Sequence, residues 1–365
     1  MHAPVLAPLH ARVRARIRAR VRARVRALIR ALCSRYATVM TARPVARLLR
    51  RCLLSVLPLA LACSMASHAQ PAPDCPPAAQ SPDAEQAQAG MRAARDHGFL
   101  WRISKDGRSS YLYGTLHAAK LAWMYPGPRV VQALAATDTI ALELDLLDPT
   151  VGQRLAALVS ALPGGELTEP ARQRIARQTA AACLPPEALA ALSPELQVMT
   201  LVTLAARRDG IDPAYGIDLF LAGWGRAASK KTVSLETPEL QARLLQTEDA
   251  LERLTAVETG LDELESGSAR EQVLRIAQVW ADADLATLMR YEDWCGCLKT
   301  KSDREAMVRM LDERNPGLAD GIATLHASGR QVFAAVGSLH MIGPMGLPAL
   351  LARRGYMVER VDFTR

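Results

Sequence analysis

Two short segments far apart in the chain follow one pattern, which constrains the fold more than any other feature of the sequence. Residues 110–117 and 331–340 each begin with an apolar, aromatic and β-branched run that is typical of a buried strand. Each run ends in Gly-(Thr/Ser)-Leu-His, where the glycine permits a tight turn as the chain leaves the sheet. Because ligands of α/β proteins gather at the carboxyl ends of strands, we expect His117 and His340 to converge on one site.

The segment 1–69 has the composition of an export leader. It holds 14 arginines and no acidic residue, and arginine occupies every second position over residues 12–26. From Met40 onward, a basic stretch, the apolar run 52–62 and small residues before Ala69 follow the order of a secretory signal peptide. We therefore predict cleavage near Ala69 and a periplasmic or secreted protein, with the upstream arginine run disordered. The alternative is a lipoprotein attached through Cys63, because the four residues that end there resemble a lipobox.

Removing the leader reverses the charge of the protein. Because 14 of the 45 basic residues but none of the 37 acidic residues lie there, residues 70–365 carry 31 basic and 37 acidic residues. A basic arm that binds nucleic acid is the other interpretation of the arginine run, but the rest of the chain supplies no excess of basic charge for phosphate. Beyond the leader, no stretch reaches the roughly 20 apolar residues of a membrane span. We therefore predict no nucleic-acid partner and no membrane span in the mature chain.

Four cysteines lie beyond the leader, an even number that indicates disulfide bonds in an exported protein. We predict that Cys183 pairs with Cys295 or Cys297, because a bridge within Cys-Gly-Cys would close a very small ring. Cys295 and Cys297 would otherwise be half of a metal site, although no second cysteine pair or nearby histidine completes a tetrahedral set. The fourth, Cys75, falls in the Pro/Ala/Gln-rich residues 70–92, which are interpreted as a flexible linker.

Residues 93–365 are predicted to form one α/β domain with a central mixed sheet. The turn signal Lys105-Asp-Gly-Arg108 predicts a hairpin of the strands 99–104 and 109–114. Further strands are predicted at 138–145, 231–236, 331–336 and 356–363. Alanine-rich helical patterns over about 150–330 predict a large, mostly helical insertion that forms a cap, with a capping box at 302–305 opening one of its helices.

Six short motifs follow one another in a characteristic order. They are Tyr113-Gly-Thr-Leu-His117, Ala141-Leu-Glu143-Leu-Asp145, Tyr215-Gly-Ile-Asp218, Leu235-Glu236-Thr-Pro-Glu-Leu-Gln241, Glu313-Arg314-Asn315, and Gly337-Ser-Leu-His340 through Gly355-Tyr356. With these motifs the chain resembles the TraB/GumN family, which is related to the TIKI metalloproteases and more distantly to the erythromycin-esterase and haem-binding ChaN-like folds. The resemblance implies an α/β fold in which the two histidines and a glutamate form a divalent-metal site.

The residue types at the predicted strand ends agree with that implication. Imidazole and carboxylate are ligands that Zn, Mn or Co accept, and a hydrolytic site keeps one position open for water. We predict His117, His340 and Glu143 as metal ligands, with Glu143 and Glu236 as candidate catalytic carboxylates. Arg314 is the candidate clamp for a substrate carboxylate or an oxyanion, because its forked donors match paired oxygens.

Three further residues are assigned to the surroundings of this site. Asp218 is expected to orient a histidine, and Tyr113 and Asn315 are expected to support the ligands or contact the substrate. Each assignment has a structural alternative, since histidines at strand ends often serve structure, Asp218 suits a helix N-terminus, and Arg314 with Asn315 would suit the end of a helix. His326 is predicted to lie on a helix surface.

Two functions follow from these residues. The first is an exported metal-dependent hydrolase of peptide or ester bonds, with water as nucleophile and a peptide or small-molecule substrate. The second is a non-catalytic periplasmic protein that captures haem or another small ligand through Tyr113 and the histidines. Ser338 lacks the Gly-x-Ser-x-Gly context of a nucleophile, and HExxH, P-loop and dinucleotide motifs do not occur in the sequence.

Overall fold

A six-stranded mixed sheet forms the centre of the computed structural model, which describes residues 75–162, 165–246 and 249–363. The strand order is β4-β3-β5-β2-β1-β6. The strands are β1 (Phe99–Lys105), β2 (Arg108–Thr115), β3 (Thr139–Leu142), β4 (Lys231–Ser234), β5 (Val332–Gly337) and β6 (Met357–Val361). The predicted α/β fold with a central mixed sheet is confirmed. The predicted leader, its cleavage site and the lipobox lie outside the described residues.

The direction of the strands brings four carboxyl ends to one edge of the sheet. β5 is parallel to both β2 and β3, and β3 is parallel to β4. β1 runs antiparallel to β2 and to β6. The chain therefore leaves β2, β3, β4 and β5 at the same edge, and each of the two Gly-x-x-His turns begins there.

The β1–β2 hairpin follows its sequence signal. Asp106 and Gly107 form the two-residue turn with φ values of 52° and 72°, and Lys105 pairs with Arg108. Two successive positive φ values match the right-handed twist of paired strands, which is why Asp-Gly is favoured at such turns. The predicted hairpin is confirmed.

Most of the helices begin where the sequence supplies an N-capping side chain or a proline. The side chains of Asp83, Asp148, Thr168 and Thr237, for example, accept hydrogen bonds from the first turn of the helix that follows each of them. The helices are α1 (Ala84–Ala93), α2 (Pro128–Ala135), α3 (Pro149–Ser160), α4 (Glu169–Ala181), α5 (Pro194–Thr203), α6 (Ile217–Ala227), α7 (Pro238–Leu244), α8 (Ala250–Ser266), α9 (Ser268–Ala281), α10 (Leu285–Leu288), α11 (Tyr291–Trp294), α12 (Lys301–Met307), α13 (Asn315–Ala327) and α14 (Leu347–Arg353). Within the described ranges, no helix is long and apolar enough to cross a membrane.

Among the described residues, the two larger of three apolar clusters hold these layers together. The larger core contains the sheet together with buried side chains of α2, α6, α9, α13 and α14. A smaller core joins α4, α5 and α8 through Ile175, Val198 and Leu261. The insertion therefore has a core of its own, as a helical cap requires. The insertion is not entirely helical, because it contains strand β4, which pairs with β3 in the central sheet.

The predicted disulfide pairing is wrong. Cys75 is bonded to Cys183, and Cys295 is bonded to Cys297. Gly296 has φ 62°, which turns the backbone so that the Cα atoms of Cys295 and Cys297 lie 5.1 Å apart, within the span of a disulfide. The Cα atoms of Cys75 and Cys183 lie 5.7 Å apart.

Local structure departs from the sequence interpretation in three more places. The segment interpreted as a linker contains α1, which begins with a capping box between Asp83 and Gln86. The capping box of α12 joins Thr300 to Asp303 instead of spanning 302–305, and a π-turn over Val308–Asp312 follows this helix. Arg314 lies between this π-turn and α13.

His326 is buried and is not a surface residue. Its Nδ1 lies 2.9 Å from Ser110 Oγ and its Nε2 lies 3.1 Å from the carbonyl oxygen of Lys105. These contacts tie α13 to the β1–β2 hairpin. The prediction failed because the partners that satisfy this buried imidazole belong to the distant hairpin and leave no local signal around His326.

Candidate functional site

Side chains from four strand ends meet at the carboxyl edge of the sheet. Glu143 directly follows β3, and His117, Glu236 and His340 follow β2, β4 and β5 within a few residues. A Cβ atom built on Gly337 would lie 3.2 Å from Glu143 Oε1, 3.6 Å from His340 Cδ2 and 3.8 Å from His117 Nε2. The structure thus brings the two histidines and Glu143 to one place.

Asp218 fixes the orientation of His117. The His117 Nδ1 atom donates to Asp218 Oδ2 at 2.8 Å, and Thr115 Oγ1 donates to Asp218 Oδ1 at 2.6 Å. The start of α6 reaches His117 because Gly216 packs against its carbonyl oxygen, only 2.6 Å from where a Cβ would stand. Asp218 raises the pKa of His117 to about 9, so the imidazole is protonated at neutral pH in the metal-free protein.

Asn315 fixes His340 in the same way. The His340 Nδ1 atom donates to Asn315 Oδ1 at 2.6 Å, which leaves the Nε2 lone pair as the acceptor of this ring. Arg314 Nη1 lies 3.2 Å from that Nε2 atom. Burial lowers the pKa of His340 to about 4, so this imidazole is neutral.

Glu143 is a buried carboxylate with both oxygens engaged. Its Oε1 accepts from the backbone N–H of Gly337 at 2.7 Å, and its Oε2 accepts from Arg314 Nη2 at 2.6 Å. Burial alone would raise the pKa of Glu143. The imidazoles of His117 and His340, the Arg314 guanidinium and the Gly337 amide outweigh burial and lower that pKa to about 2, so Glu143 is ionised.

Arg314 lies between the two carboxylates. Its Nε and Nη2 atoms donate to Glu236 at 2.8 and 2.6 Å, in the forked geometry that a carboxylate matches. Its Nη1 atom also donates to the Met310 carbonyl oxygen at 2.9 Å. Arg314, Glu236 and Glu143 are all nearly excluded from solvent, with side chains 7%, 3% and 9% exposed.

Two members of this arrangement were missed from the sequence. Gln241 Nε2 donates to Glu236 Oε2 at 3.0 Å and lies 3.5 Å from Glu143 Oε2. The sequence did contain a signal for Gln241, because this residue ends the motif that contains Glu236. An amide is a suitable hydrogen-bond donor to a buried carboxylate. The Met310 carbonyl gave no side-chain signal, since the π-turn that contains it depends on the packed backbone.

Two other side chains considered in the sequence have partners elsewhere. The Tyr113 hydroxyl donates to the carbonyl oxygen of His97 at 2.9 Å, and its ring packs against Trp280 and Phe333. Burial raises the pKa of Tyr113 far above its ordinary value, so the hydroxyl stays protonated. Ser338 is buried and donates to the Thr115 carbonyl at 2.8 Å, which holds the two turns together.

The two imidazoles and the carboxylate of Glu143 are ligand types that a divalent metal accepts. Both imidazoles are held through Nδ1 by an oxygen acceptor, which is usual for metal-binding histidines. His117 Nε2 lies on the same side of the Gly337 turn as Glu143 Oε1, and His340 Nε2 faces Arg314 Nη1. Across the described part of the chain, no group of three His, Cys, Asp or Glu side chains stands at the spacing that would hold an ion. Arg314 bonds to two of the proposed donors, through His340 Nε2 and Glu143 Oε2.

Residues 99–360 match the TraB/PrgY/gumN family. No curated protein and no solved structure matches the chain. The matched range runs from the first strand to the last and therefore contains the whole site at the carboxyl edge.

Proposed function

The chain belongs to the TraB/PrgY/gumN family, and from this membership and the geometry of the site we propose that it is a metal-dependent hydrolase of peptide or ester bonds. The observation that carries the proposal is that two histidines, each held through Nδ1 by an oxygen acceptor, lie around the same turn as an ionised carboxylate. His117, His340 and Glu143 would hold the ion, which is Zn, Mn or Co by the chemistry of these ligands.

The bound ion would lower the pKa of a water molecule and polarise the substrate carbonyl. The other residues prepare the ligands for that task. Asp218 and Asn315 fix the rings of the two histidines, and the Gly337 amide fixes the Glu143 carboxylate. The exposed side of the site is at His117, whose side chain is 69% exposed, so we propose that the substrate approaches from there.

The structure supports the haem-binding alternative less well. That alternative used the Tyr113 hydroxyl as an oxygen ligand. The hydroxyl is buried and donates to a backbone carbonyl, so a ligand would have to open the core to reach it. The two histidines remain available to either function, which leaves the hydrolase as the better supported one.

We also propose that the protein is exported, to the periplasm or beyond. The two disulfide bonds support this, because such bonds persist in oxidising compartments. The basic and apolar order of the leader segment 1–69, which ends in small residues at Ala69, supports it independently.

Metal content of folded variants tests the proposed site. We expect His117→Ala and His340→Ala each to lose the ion and any hydrolytic activity together, because a site of three or four ligands cannot keep a divalent ion after losing one. The measurement is metal stoichiometry on the folded fraction after exposure to Co²⁺, together with a thermal melt.

His326→Ala is the matched control. This histidine is buried and hydrogen-bonded to Ser110 but lies apart from the site, so we expect a lower melting temperature with the Co²⁺ stoichiometry of the folded fraction unchanged. Equal Co²⁺ occupancy in the wild type and in both site variants would reject the shared site.

A further inference from the structure

The guanidinium of Arg314 uses every hydrogen that it carries. The Nε–H donates to Glu236, the two Nη2 hydrogens to Glu236 and Glu143, and the two Nη1 hydrogens to the Met310 carbonyl and His340 Nε2. A guanidinium with all five hydrogens satisfied in a buried place is a built arrangement. The buried position of Arg314 is therefore specified by its hydrogen-bond partners.

Two of these bonds occupy the lone pairs that a metal ion needs. The neutral ring of His340 has one acceptor nitrogen, because its Nδ1–H is given to Asn315. Arg314 Nη1 lies 3.2 Å from that nitrogen, and Arg314 Nη2 lies 2.6 Å from Glu143 Oε2. The single lone pair of His340 Nε2 cannot bond to the guanidinium and to an ion at once, and the guanidinium charge next to Glu143 Oε2 repels an ion from that carboxylate. The two cations therefore compete for these groups.

Glu236 differs from Glu143 in how Arg314 bonds to it. It receives the forked pair from Arg314 at 2.8 and 2.6 Å and is held by Gln241 at 3.0 Å. Arg314 can thus give up His340 and Glu143 while it keeps its bidentate bond to Glu236. The π-turn directly before it, Val308–Asp312, is the kind of local helix irregularity that is common at functional sites.

Charge explains why such a cation is needed. Glu143 and Glu236 are two buried carboxylates at hydrogen-bond distance from one guanidinium, and without a positive charge between them they would repel each other in a poorly solvated place. A divalent ion could supply that charge only while it is bound.

We infer that Arg314 is a resident cation that holds the donors of the site in the metal-free protein and withdraws towards Glu236 when an ion binds. Glu236 is then a positioning residue for Arg314 and not a ligand. This inference rests on the proposed function, since it assigns a competitor to the proposed metal site.

Co²⁺ affinity of Arg314→Met tests the competition. Methionine keeps much of the apolar stem and removes the charge and the donors, so we expect the metal-free variant to bind Co²⁺ about 10-fold more tightly than the wild type, the size of effect usual for groups next to ligands. The measurement is calorimetric titration of the metal-free mature protein with Co²⁺, with the visible spectrum of bound Co²⁺ as a second readout. We expect Arg314→Met also to melt at a lower temperature than the wild type without Co²⁺ and to gain more on adding it.

Arg309→Met is the matched control, because Arg309 lies on the same π-turn but is exposed and bonded to Glu252. It should bind Co²⁺ as the wild type does. If Arg314→Met does not fold, Arg314→Gln decides by the same titration, because glutamine also removes the positive charge, and tighter binding than wild type is again expected. If the Arg314 variant binds Co²⁺ no more tightly than the wild type does, the inference about Arg314 is wrong, but the proposed metal site is not contradicted. No Co²⁺ binding in any variant overturns the proposed metal site with it.

Discussion

The two site histidines show how neighbours set the chemistry of identical side chains. His117 is exposed and donates to a carboxylate, which raises its pKa to about 9. His340 is buried and donates to an amide, and burial lowers its pKa to about 4. In the metal-free protein at neutral pH, one ring is therefore cationic and the other is neutral. The site holds a proton donor and a lone-pair donor side by side.

Replacing Asp218 should make the difference in pKa between His117 and His340 smaller. In metal-free protein we expect the NMR signal of His117 to titrate near pH 9, and Asp218→Asn to move the midpoint towards the ordinary value of 6.5. Because the folded-state pKa is raised, the contribution of the His117–Asp218 pair to stability is fully present below about pH 6.5 and is lost as pH rises through about 9. Denaturant unfolding between pH 6 and 10 checks this: the wild type should lose stability across that window more steeply than Asp218→Asn.

Asp320→Asn is the control for this titration, because Asp320 pairs with Arg354 and lies outside the site. It should leave the His117 midpoint unchanged. A midpoint for His117 that is the same in wild type and Asp218→Asn would contradict the assignment of the pair.

At the scale of elements, the β5 turn places the ligands. Gly337 ends β5, its N–H donates to Glu143, and the side chains of both histidines surround the space where a Cβ would stand. Its φ is −48°, a value that other residues adopt, so conformational freedom does not explain the glycine here. The glycine is explained instead by the room that it leaves for the Glu143 carboxylate.

Adding one methyl group at this turn should therefore disturb the site more than the fold. We expect Gly337→Ala to weaken Co²⁺ binding about 10-fold, because the new Cβ would lie 3.2 Å from Glu143 Oε1 and displace it. The control is Gly317→Ala in α13, where a Cβ meets nothing within 4 Å and stability should rise by about 0.5 kcal/mol. Co²⁺ titration and denaturant unfolding of both variants check this, and unaltered Co²⁺ affinity in Gly337→Ala would show that the turn tolerates a side chain.

Much of this element structure could be predicted from sequence, since the strands, the hairpin and the helix Leu347–Arg353 follow local patterns. The predicted strand over 138–145 ends at Leu142, which places Glu143 at the sheet edge instead of within the strand. Local patterns could not show how His326 and Gln241 are satisfied, because their partners depend on packing between distant segments. The cysteine pairing failed for a related reason, since it depends on one backbone turn at Gly296.

At the scale of the whole molecule, the two disulfide bonds differ greatly in how much they stabilise the folded state. Cys75 and Cys183 are 108 positions apart in the chain, whereas Cys295 and Cys297 are 2 apart. By the chain-entropy argument the long loop stabilises the folded state by about 5 kcal/mol and the short one by roughly 1–2 kcal/mol. The first bond ties the segment before α1 to the end of α4, so it links the helical insertion to the start of the described chain.

Export and oxidation should be observed together. We expect protein made with its leader to be recovered outside the cytoplasm, to begin at Gln70 and to contain no free thiol, because a secretory signal is removed and both bonds form in an oxidising compartment. N-terminal sequencing and mass mapping of peptides check both points. Recovery of a chain that still carries residues 1–39, or peptides that show free Cys75 and Cys183, would contradict the proposal.

The order of the strands has a consequence for the newly made chain. β5 lies between β3 and β2 in the sheet, but β2 ends at Thr115 and β5 begins only at Val332, so most of the domain is synthesised between them. Until β5 has emerged from the ribosome, β2 and β3 cannot join, and the carboxyl edge has no site. The smaller core of the insertion needs only residues between Ile175 and Leu261, so it can form before β5 is made. A translating chain thus cannot complete its sheet before β5 has been made, a condition that would suit the proposed export, because a polypeptide passes through a translocation channel unfolded.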